Sequence, residues 1–202
     1  MNNDEVVNLI GREVLSVLNA SVQRGYSLAD MFMSLSEIFS VKSARSVKQE
    51  VYNIAVDYAL QKDCEKGRLP IRFSYVPNLK NNFDHFMLSS DRFCMTHSSI
   101  RKPDEFPRNA YIRKDLSVSN QTTLYGEEFI PDLLYGIIVH KPQYRKEGLA
   151  AYTALGIPDA EYHKWCNHIP LKQVNTHLVS VTKSEYDDFS LELREISKNS
   201  DF

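Results

Sequence analysis

His140 is the residue best placed to do chemistry, because it directly follows the continuously apolar segment 133–139. Many α/β proteins place catalytic groups where such a central strand ends. A general base at His140 would need a carboxylate to orient its ring, and Glu127, Glu128 and Asp132 lie upstream. The chain contains no Gly-x-Ser-x-Gly, no glycine-rich phosphate loop and no His-Glu-x-x-His. A small hydrolase or transferase centred on His140 is therefore an alternative hypothesis and not the main one.

Five side chains of the types that bind zinc fall in two short groups. They are Cys94, His97, His163, Cys166 and His168. On a strand Cys94 and His97 point to opposite faces, and on a helix His168 lies off the face that His163 and Cys166 share. We predict no metal and no other cofactor, and whether the five side chains meet in space stays open at this stage.

Cationic and aromatic side chains are concentrated in one proline-containing segment in the middle of the chain. They are Arg101, Lys102, Phe106, Arg108, Tyr111, Arg113 and Lys114. Residues 67–126 carry nine basic and five acidic groups, a net charge of +4, whereas the segments on either side are net negative. Arginine and tyrosine are enriched at the centres of protein interfaces, and loops often carry such contacts. The segment is therefore our predicted partner-binding surface.

Arg108 and Arg113 are the expected anchors of this surface. Phe106 and Tyr111 lie beside them in sequence and offer apolar rings on which a guanidinium group can stack. The alternative is a solvated loop whose cations pair with its own acids, Asp104, Glu105 and Asp115.

Residues 35–48 resemble the helix-turn-helix pattern of DNA-binding proteins. Ser36 stands at the small position of the first helix, and Ser40-Val41 takes the place of the usual turn. The resemblance implies DNA contacts from the basic side chains that follow, which are Lys42, Arg45 and Lys48.

The pattern departs from the motif in two places and in its charge. Ser40 replaces the turn glycine, and Val47 lies one residue later than the core position of the second helix. Residues 1–66 carry seven basic and nine acidic groups, which is the wrong sign for attraction to phosphates. A DNA-binding transcriptional regulator is therefore the first alternative function.

The elements that must position these residues change type near residue 67. Apolar residues at three- and four-residue steps predict three helices, in the segments 2–24, 27–39 and 43–66. The first would begin with a capping box formed by Asn2 and Glu5, and Gly25 would end it.

After Pro70 the apolar period changes from 3.6 to 2, which indicates strands. Strands are predicted at 71–76, 86–88, 93–97, 111–112, 133–139 and 178–181, and helices at 148–155, at 158–170 and from Ser184 onward. We predict an α+β fold in which a three-helix N-terminal lobe, residues 1–67, packs on a second lobe, residues 68–202. That second lobe would hold a mixed or antiparallel sheet and the C-terminal helices.

Composition limits the class of protein. The chain has 202 residues, 43% of them hydrophobic and 25% charged, which is typical of globular proteins and not of disordered or collagen-like chains. The polar N-terminus lacks the features of a signal or transit peptide, no apolar run has membrane-spanning length, and the three cysteines suit a reducing, cytoplasmic compartment.

The absence of a catalytic signature and the charged loop together favour a non-enzymatic binding protein. We expect a regulator or inhibitor that occupies the surface of another macromolecule. The expected partner is a protein, nucleic acid is the second choice, and no membrane is involved. The oligomeric state stays open.

Overall fold

The computed structural model describes residues 1–78, 84–121, 123–124, 127–128, 132–142, 149–171 and 181–199. The predicted α+β class is confirmed: N-terminal helices pack on a mixed six-stranded sheet, and a C-terminal helix follows. The helices of the described residues are α1 (Asn3–Ile10), α2 (Arg12–Ser34), α3 (Arg45–Glu65), α4 (Tyr111–Ser117) and α5 (Lys183–Asn199). The strands are β1 (Arg72–Pro77), β2 (Asp84–Ser89), β3 (Phe93–Ser99), β4 (Thr123–Leu124), β5 (Glu127–Glu128), β6 (Leu134–Pro142), β7 (Ala150–Pro158) and β8 (Trp165–Pro170).

Helix α1 begins as the sequence predicts. The Asn2 side chain accepts a hydrogen bond from the Glu5 amide at 2.9 Å, and the Glu5 carboxylate accepts one from the Asn2 amide at 2.7 Å. The helix ends earlier than predicted, at Gly11, whose φ of +95° lies in the region that favours glycine.

Gly25 does not end a helix, and the prediction that it does is wrong. Helix α2 continues through Gly25 to Ser34. Gly25 lies at the point where α2 packs against α3. A Cβ atom there would lie 2.8 Å from the Ala55 carbonyl oxygen and 2.8 Å from the Val56 Cα. The glycine therefore allows two helix backbones to approach closely, and that requirement overrides its tendency to stop a helix.

Helices α2 and α3 form an antiparallel pair held by two sets of polar contacts. At the middle of α2 and the end of α3, the Asp63 carboxylate accepts hydrogen bonds from Ser21 and from the Arg24 guanidinium. Near the end of α2, the Tyr52 hydroxyl donates to Asp30. Asp63 is buried, and it also binds Arg68 beyond the end of α3, at 2.6 Å from Nε.

The sheet has the order β1-β2-β3-β6-β7-β8. Among the described strands of this sheet, β3 and β6 form the one parallel pair, and the other four pairs of adjacent strands are antiparallel. β6 is buried along almost its whole length, as the apolar run 133–139 predicts for a central strand. The separate hairpin of β4 and β5 is antiparallel.

Several of the later element predictions are wrong. Residues 111–112 begin the helix α4 and not a strand, while the segments expected to be helical at 148–155 and 158–170 contain the strands β7 and β8. Gly156 lies within β7, where an added Cβ would clash with the Trp165 ring, so this glycine leaves room for the indole and does not end a helix. Of the strand predicted at 178–181, residues 178–180 lie outside the described residues.

Both faces of the sheet are covered. On β6, Leu134 and Ile138 pack with residues of α1 and α2, including Val6, Leu18 and Val22. The alternate residues Tyr135, Ile137 and Val139 pack on the other face with the segment that leads into α4 and with Tyr162. The core therefore contains residues from both sides of position 67, and the division into domains 1–67 and 68–202 stays a prediction.

We predict that Gly25→Ala destabilises the protein. Helix propensity alone would stabilise it by about 1 kcal/mol, but the 2.8 Å approach of the α3 backbone leaves no room for a methyl group. Overpacking of this kind costs about 1–3 kcal/mol. Denaturant unfolding measures the outcome, with Ser16→Ala on the exposed side of α2 as the control. An increase in the free energy of unfolding for Gly25→Ala would contradict the observed helix contact.

We also predict that Asp63→Asn destabilises the protein by about 3–5 kcal/mol, because it leaves the Arg24 guanidinium buried without a counter-charge. Asp91→Asn is the matched control. It removes an ion pair with Arg72 in which both side chains are exposed, and its effect on the free energy of unfolding should be close to zero. Equal losses in the two variants would show that burial of the Asp63 pair does not determine its contribution.

Candidate functional site

A chain of hydrogen bonds between polar side chains crosses the interface between the helices and the sheet. The Tyr26 hydroxyl on α2 lies 2.8 Å from His140 Nδ1 on β6. His140 Nε2 lies 3.0 Å from His97 Nδ1 on β3, and His97 Nε2 binds the Asp57 carboxylate on α3. The parallel pairing of β3 with β6 places the two imidazoles side by side, with ring centroids 5.2 Å apart. We call these four residues the histidine relay.

One arrangement of protons satisfies the whole relay with both imidazoles neutral. The Asp57 carboxylate can only accept, so His97 donates from Nε2 and accepts at Nδ1. His140 then donates from Nε2 to His97 and accepts at Nδ1 from the Tyr26 hydroxyl. Every hydrogen bond points from Tyr26 towards Asp57, and no ring nitrogen of either histidine lacks a partner.

Burial keeps His140 neutral. Loss of solvent lowers the pKa of His140 well below its ordinary value of 6.5, and electrostatic repulsion from a protonated His97 and from the Arg113 guanidinium would oppose a second positive charge there. The ring is completely buried, whereas the Asp57 side chain at the other end of the relay is partly exposed. Solvent therefore reaches the relay at Asp57, beside a cleft of about 130 Å³ that Tyr58, Tyr75 and Glu192 also line.

This geometry gives His140 different partners from those expected. Asp132, one of the proposed orienting carboxylates, is exposed and makes no hydrogen bond with His140, while the Glu127 and Glu128 side chains lie outside the described residues. A general base must reach the proton that it abstracts. In the structure, the buried His140 ring is fully engaged by Tyr26 and His97, so the relay joins elements of the fold and does not expose His140 itself to a substrate.

Sequence reasoning missed Tyr26, a partner of His140, and Asp57, the partner of His97. A signal for Asp57 was present, because it is the one charged residue in the otherwise uncharged segment 51–60 of α3. A charge that interrupts an apolar helical run has to find a partner on the neighbouring layer. Tyr26 gave no such signal, because a tyrosine among the apolar residues of a helix cannot be distinguished by sequence from any other core residue.

The predicted partner-binding residues divide into exposed and anchored groups. The exposed side chains are Arg101, Lys102, Arg108, Tyr111 and Lys114, which we call the α4 surface. Within the described part of the chain, none of these four cations forms a salt bridge with Asp104, Glu105 or Asp115. Their charges are therefore available to a partner.

Arg113 and Phe106 hold the segment in place. Arg113 donates from Nη2 to the His97 carbonyl oxygen at 3.0 Å and from Nη1 to that of Arg108 at 3.2 Å. Phe106 packs against Tyr162 and Trp165, with ring centroids 4.7 and 4.5 Å away. Both residues thus fix the loop to the sheet, and neither provides the stacked arginine anchor that the sequence suggested.

A cavity of about 400 Å³ opens between the end of β1, the start of β2 and the start of α4. Its walls include Val76, Pro77, His85, Tyr111, Ile112 and Asp115. The Tyr111 side chain remains 65% exposed at this cavity. Burial and the charge of Arg113 lower the pKa of His85 below its usual value, against the opposing effect of Asp84 and Asp57. The wall therefore presents a neutral imidazole and mostly apolar groups.

The five potential zinc ligands do not come together. Cys94 is packed in the core face opposite to His97, His163 is exposed beside Glu161, and His168 stacks on Trp165 with ring centroids 5.5 Å apart. Across the described residues, no three histidine, cysteine or carboxylate side chains form a potential metal site. The three cysteines are free thiols.

The structure places two 3₁₀ helices, Glu37–Ser40 and Lys42–Ala44, where the helix-turn-helix pattern has its turn. Lys42 is exposed and Lys48 is half-buried, while the Arg45 side chain lies outside the described residues. Helices α2 and α3 pair antiparallel from the Asp63 contacts to the Asp30 contact, so they form a hairpin with a two-turn connection.

Comparison with known proteins adds no relative: no family model, no curated protein and no solved structure matches this chain. Among the helices of the described ranges, none has the length and apolar character needed to cross a bilayer. The fold and its surfaces therefore carry the functional argument.

We predict that stability falls as the pH is lowered through 6.5 and that His140 causes part of the fall. An unfolded chain protonates this histidine near pH 6.5, whereas the buried ring resists protonation, so acid favours the unfolded state by up to about 1.4 kcal/mol per pH unit. Denaturant unfolding between pH 7 and pH 5 tests this. His140→Gln should reduce the slope of unfolding free energy against pH, whereas Tyr26→Phe, which keeps the buried imidazole, should retain it. An unchanged slope in His140→Gln would refute the assignment.

Proposed function

We propose that this protein is a non-enzymatic binding protein, a regulator or inhibitor that occupies the surface of another protein through the α4 surface. The observation that carries the proposal is the exposed Tyr111 at the mouth of a 400 Å³ cavity, flanked by cations that form no salt bridge within the described residues. Exposed aromatic rings beside concave apolar surface and arginine are typical of binding hot spots.

The anchoring of the loop supports this role. Arg113 donates to the carbonyl oxygens of His97 and Arg108. Phe106 packs between Tyr162 and Trp165. The backbone that carries Arg108 and Tyr111 is therefore held in place before a partner binds. A surface that is ordered before binding loses less conformational entropy when the partner docks.

A protein partner fits this surface better than a nucleic acid. The cations of the α4 surface are interleaved with Asp104 and Asp115, both exposed, and these carboxylates would repel a phosphate backbone. A protein can present charges of both signs to such a pattern, and its apolar side chains can enter the cavity.

Two alternatives remain proposals of lower rank. DNA binding through Lys42, Arg45 and Lys48 would have to act beside exposed aliphatic residues, which do not attract phosphates. A hydrolase or transferase centred on His140 would need a rearrangement that opens the relay, because the ring is completely buried.

The test uses the partner recovered from the native host by chemical cross-linking and then purified. Tyr111→Ala should weaken its binding by about 2 kcal/mol, the usual threshold for a hot spot, and Arg108→Glu should slow association because rim charges steer the encounter. Arg92→Glu is the matched control, since it makes the same charge change at an exposed site on the β2–β3 turn, away from the α4 surface. Surface plasmon resonance measures both effects. Equal affinities of wild type, Tyr111→Ala and Arg108→Glu would overturn the proposal.

A further inference from the structure

A second surface of the molecule carries exposed aliphatic side chains. Nine large hydrophobic residues are exposed among those described, and five of them lie in other parts of the chain. The other four lie close together in the connection between α2 and α3 and the first turn of α3, and we call them the hairpin-tip patch: Leu35, Ile38, Val41 and Val47. Single exposed hydrophobic residues are normal, whereas a cluster of this kind marks an interaction site.

The connection that bears the patch is folded, so its exposed residues are not the result of an unstructured loop. Phe39 turns inward and contacts Phe32, with ring centroids 5.8 Å apart, and Ala44 is buried. The Phe39 amide donates to the Ser36 carbonyl at 3.1 Å, and the Ala44 amide donates to that of Val41 at 3.1 Å. With one side fixed to the core, the connection holds Leu35 and Ile38 outward, where they are 68% and 66% exposed.

Charges of both signs border the patch. Glu37 and Lys42 are exposed and Lys48 is half-buried, and none of the three forms a salt bridge within the described residues. An anionic membrane or a nucleic acid would require a uniformly basic border. Among the described side chains this border carries one carboxylate and two ammonium groups, so it can pair with a second copy of itself.

We propose that the hairpin-tip patch is the interface of a two-fold symmetric homodimer. In such a dimer the same patch faces itself, so Ile38 and Val41 would pack at the centre and Glu37 of each protomer would pair with Lys42 of the other. A standard interface covers about 800 Å² on each partner. Four side chains cover only part of that area, so residues at the end of α2 and the start of α3 would form the rim. This interface is separate from the α4 surface and does not depend on the function proposed for that surface.

The first experiment measures the mass of the intact chain by light scattering and sedimentation over a range of concentrations. The wild type should be a dimer, and Ile38→Glu should raise the dissociation constant about tenfold or more, because it places two carboxylates at the centre of the interface. Leu191→Glu is the matched control: Leu191 is 58% exposed on α5, outside the patch, and this variant should dimerise like the wild type. A wild type that stays monomeric at the highest attainable concentration overturns the proposal, as does equal weakening by both variants.

The second experiment tests the two-fold pairing and does not depend on the aliphatic variant. Glu37→Lys alone and Lys42→Glu alone should each weaken the dimer, because each places like charges across the interface. Mixing the two single variants restores both ion pairs, so a heterodimer should form in preference to either homodimer, and mass spectrometry of the mixture identifies it. A mixture without enrichment of the heterodimer overturns the pairing. Circular dichroism confirms that each variant retains the wild-type fold.

Discussion

The parallel pairing of β3 with β6 is the constraint on which the arrangement of the molecule depends. It brings His97 and His140 into adjacent positions on the sheet face that the helices cover. Two imidazoles in that position must find hydrogen-bond partners, because burying an unpaired polar group costs several kcal/mol in an apolar environment. Asp57 on α3 and Tyr26 on α2 provide them. The relay thereby joins specific residues of the two helices to the central strands, in addition to the apolar packing of the same layers.

The same arrangement separates the buried chemistry from the exposed surfaces. The buried side chains His140 and Asp63 are directed inward, and their polar atoms are hydrogen-bonded to neighbouring side chains. Buried polar networks of this kind favour one packing arrangement over others when every member is satisfied. The exposed side chains of the α4 surface and of the hairpin-tip patch lie on two ordered connections. One leads into α4 and the other joins α2 to α3. Each connection is held to the core by an aromatic residue, Phe106 in the first and Phe39 in the second.

The sequence determined the elements whose signals are local. The capping box at Asn2 and Glu5, the alternation in β1 and β3, and the apolar run of β6 each depend on neighbouring residues or on burial of a whole segment, and they were predicted. The exposed position of Arg101, Lys102 and Arg108 also follows from the proline-bearing, charged composition of their segment. In these places backbone preference, periodicity and polarity all favour the same structure, so the sequence alone is sufficient to predict it.

Only the tertiary structure decided the features that depend on a distant neighbour. Gly25 and Gly156 both resemble helix stops in sequence, yet one admits the α3 backbone and the other the Trp165 ring. Arg113 carries the same charge as its neighbour Lys114, but its guanidinium donates hydrogen bonds to two backbone carbonyl groups. His140 acquires its two hydrogen-bond partners from two other elements, α2 and β3. The conformational preference of a single residue is worth about 1 kcal/mol or less, whereas an overpacked contact or a buried polar group left without a partner costs about 1–3 kcal/mol. The partner that makes the contact cannot be read from the neighbouring sequence.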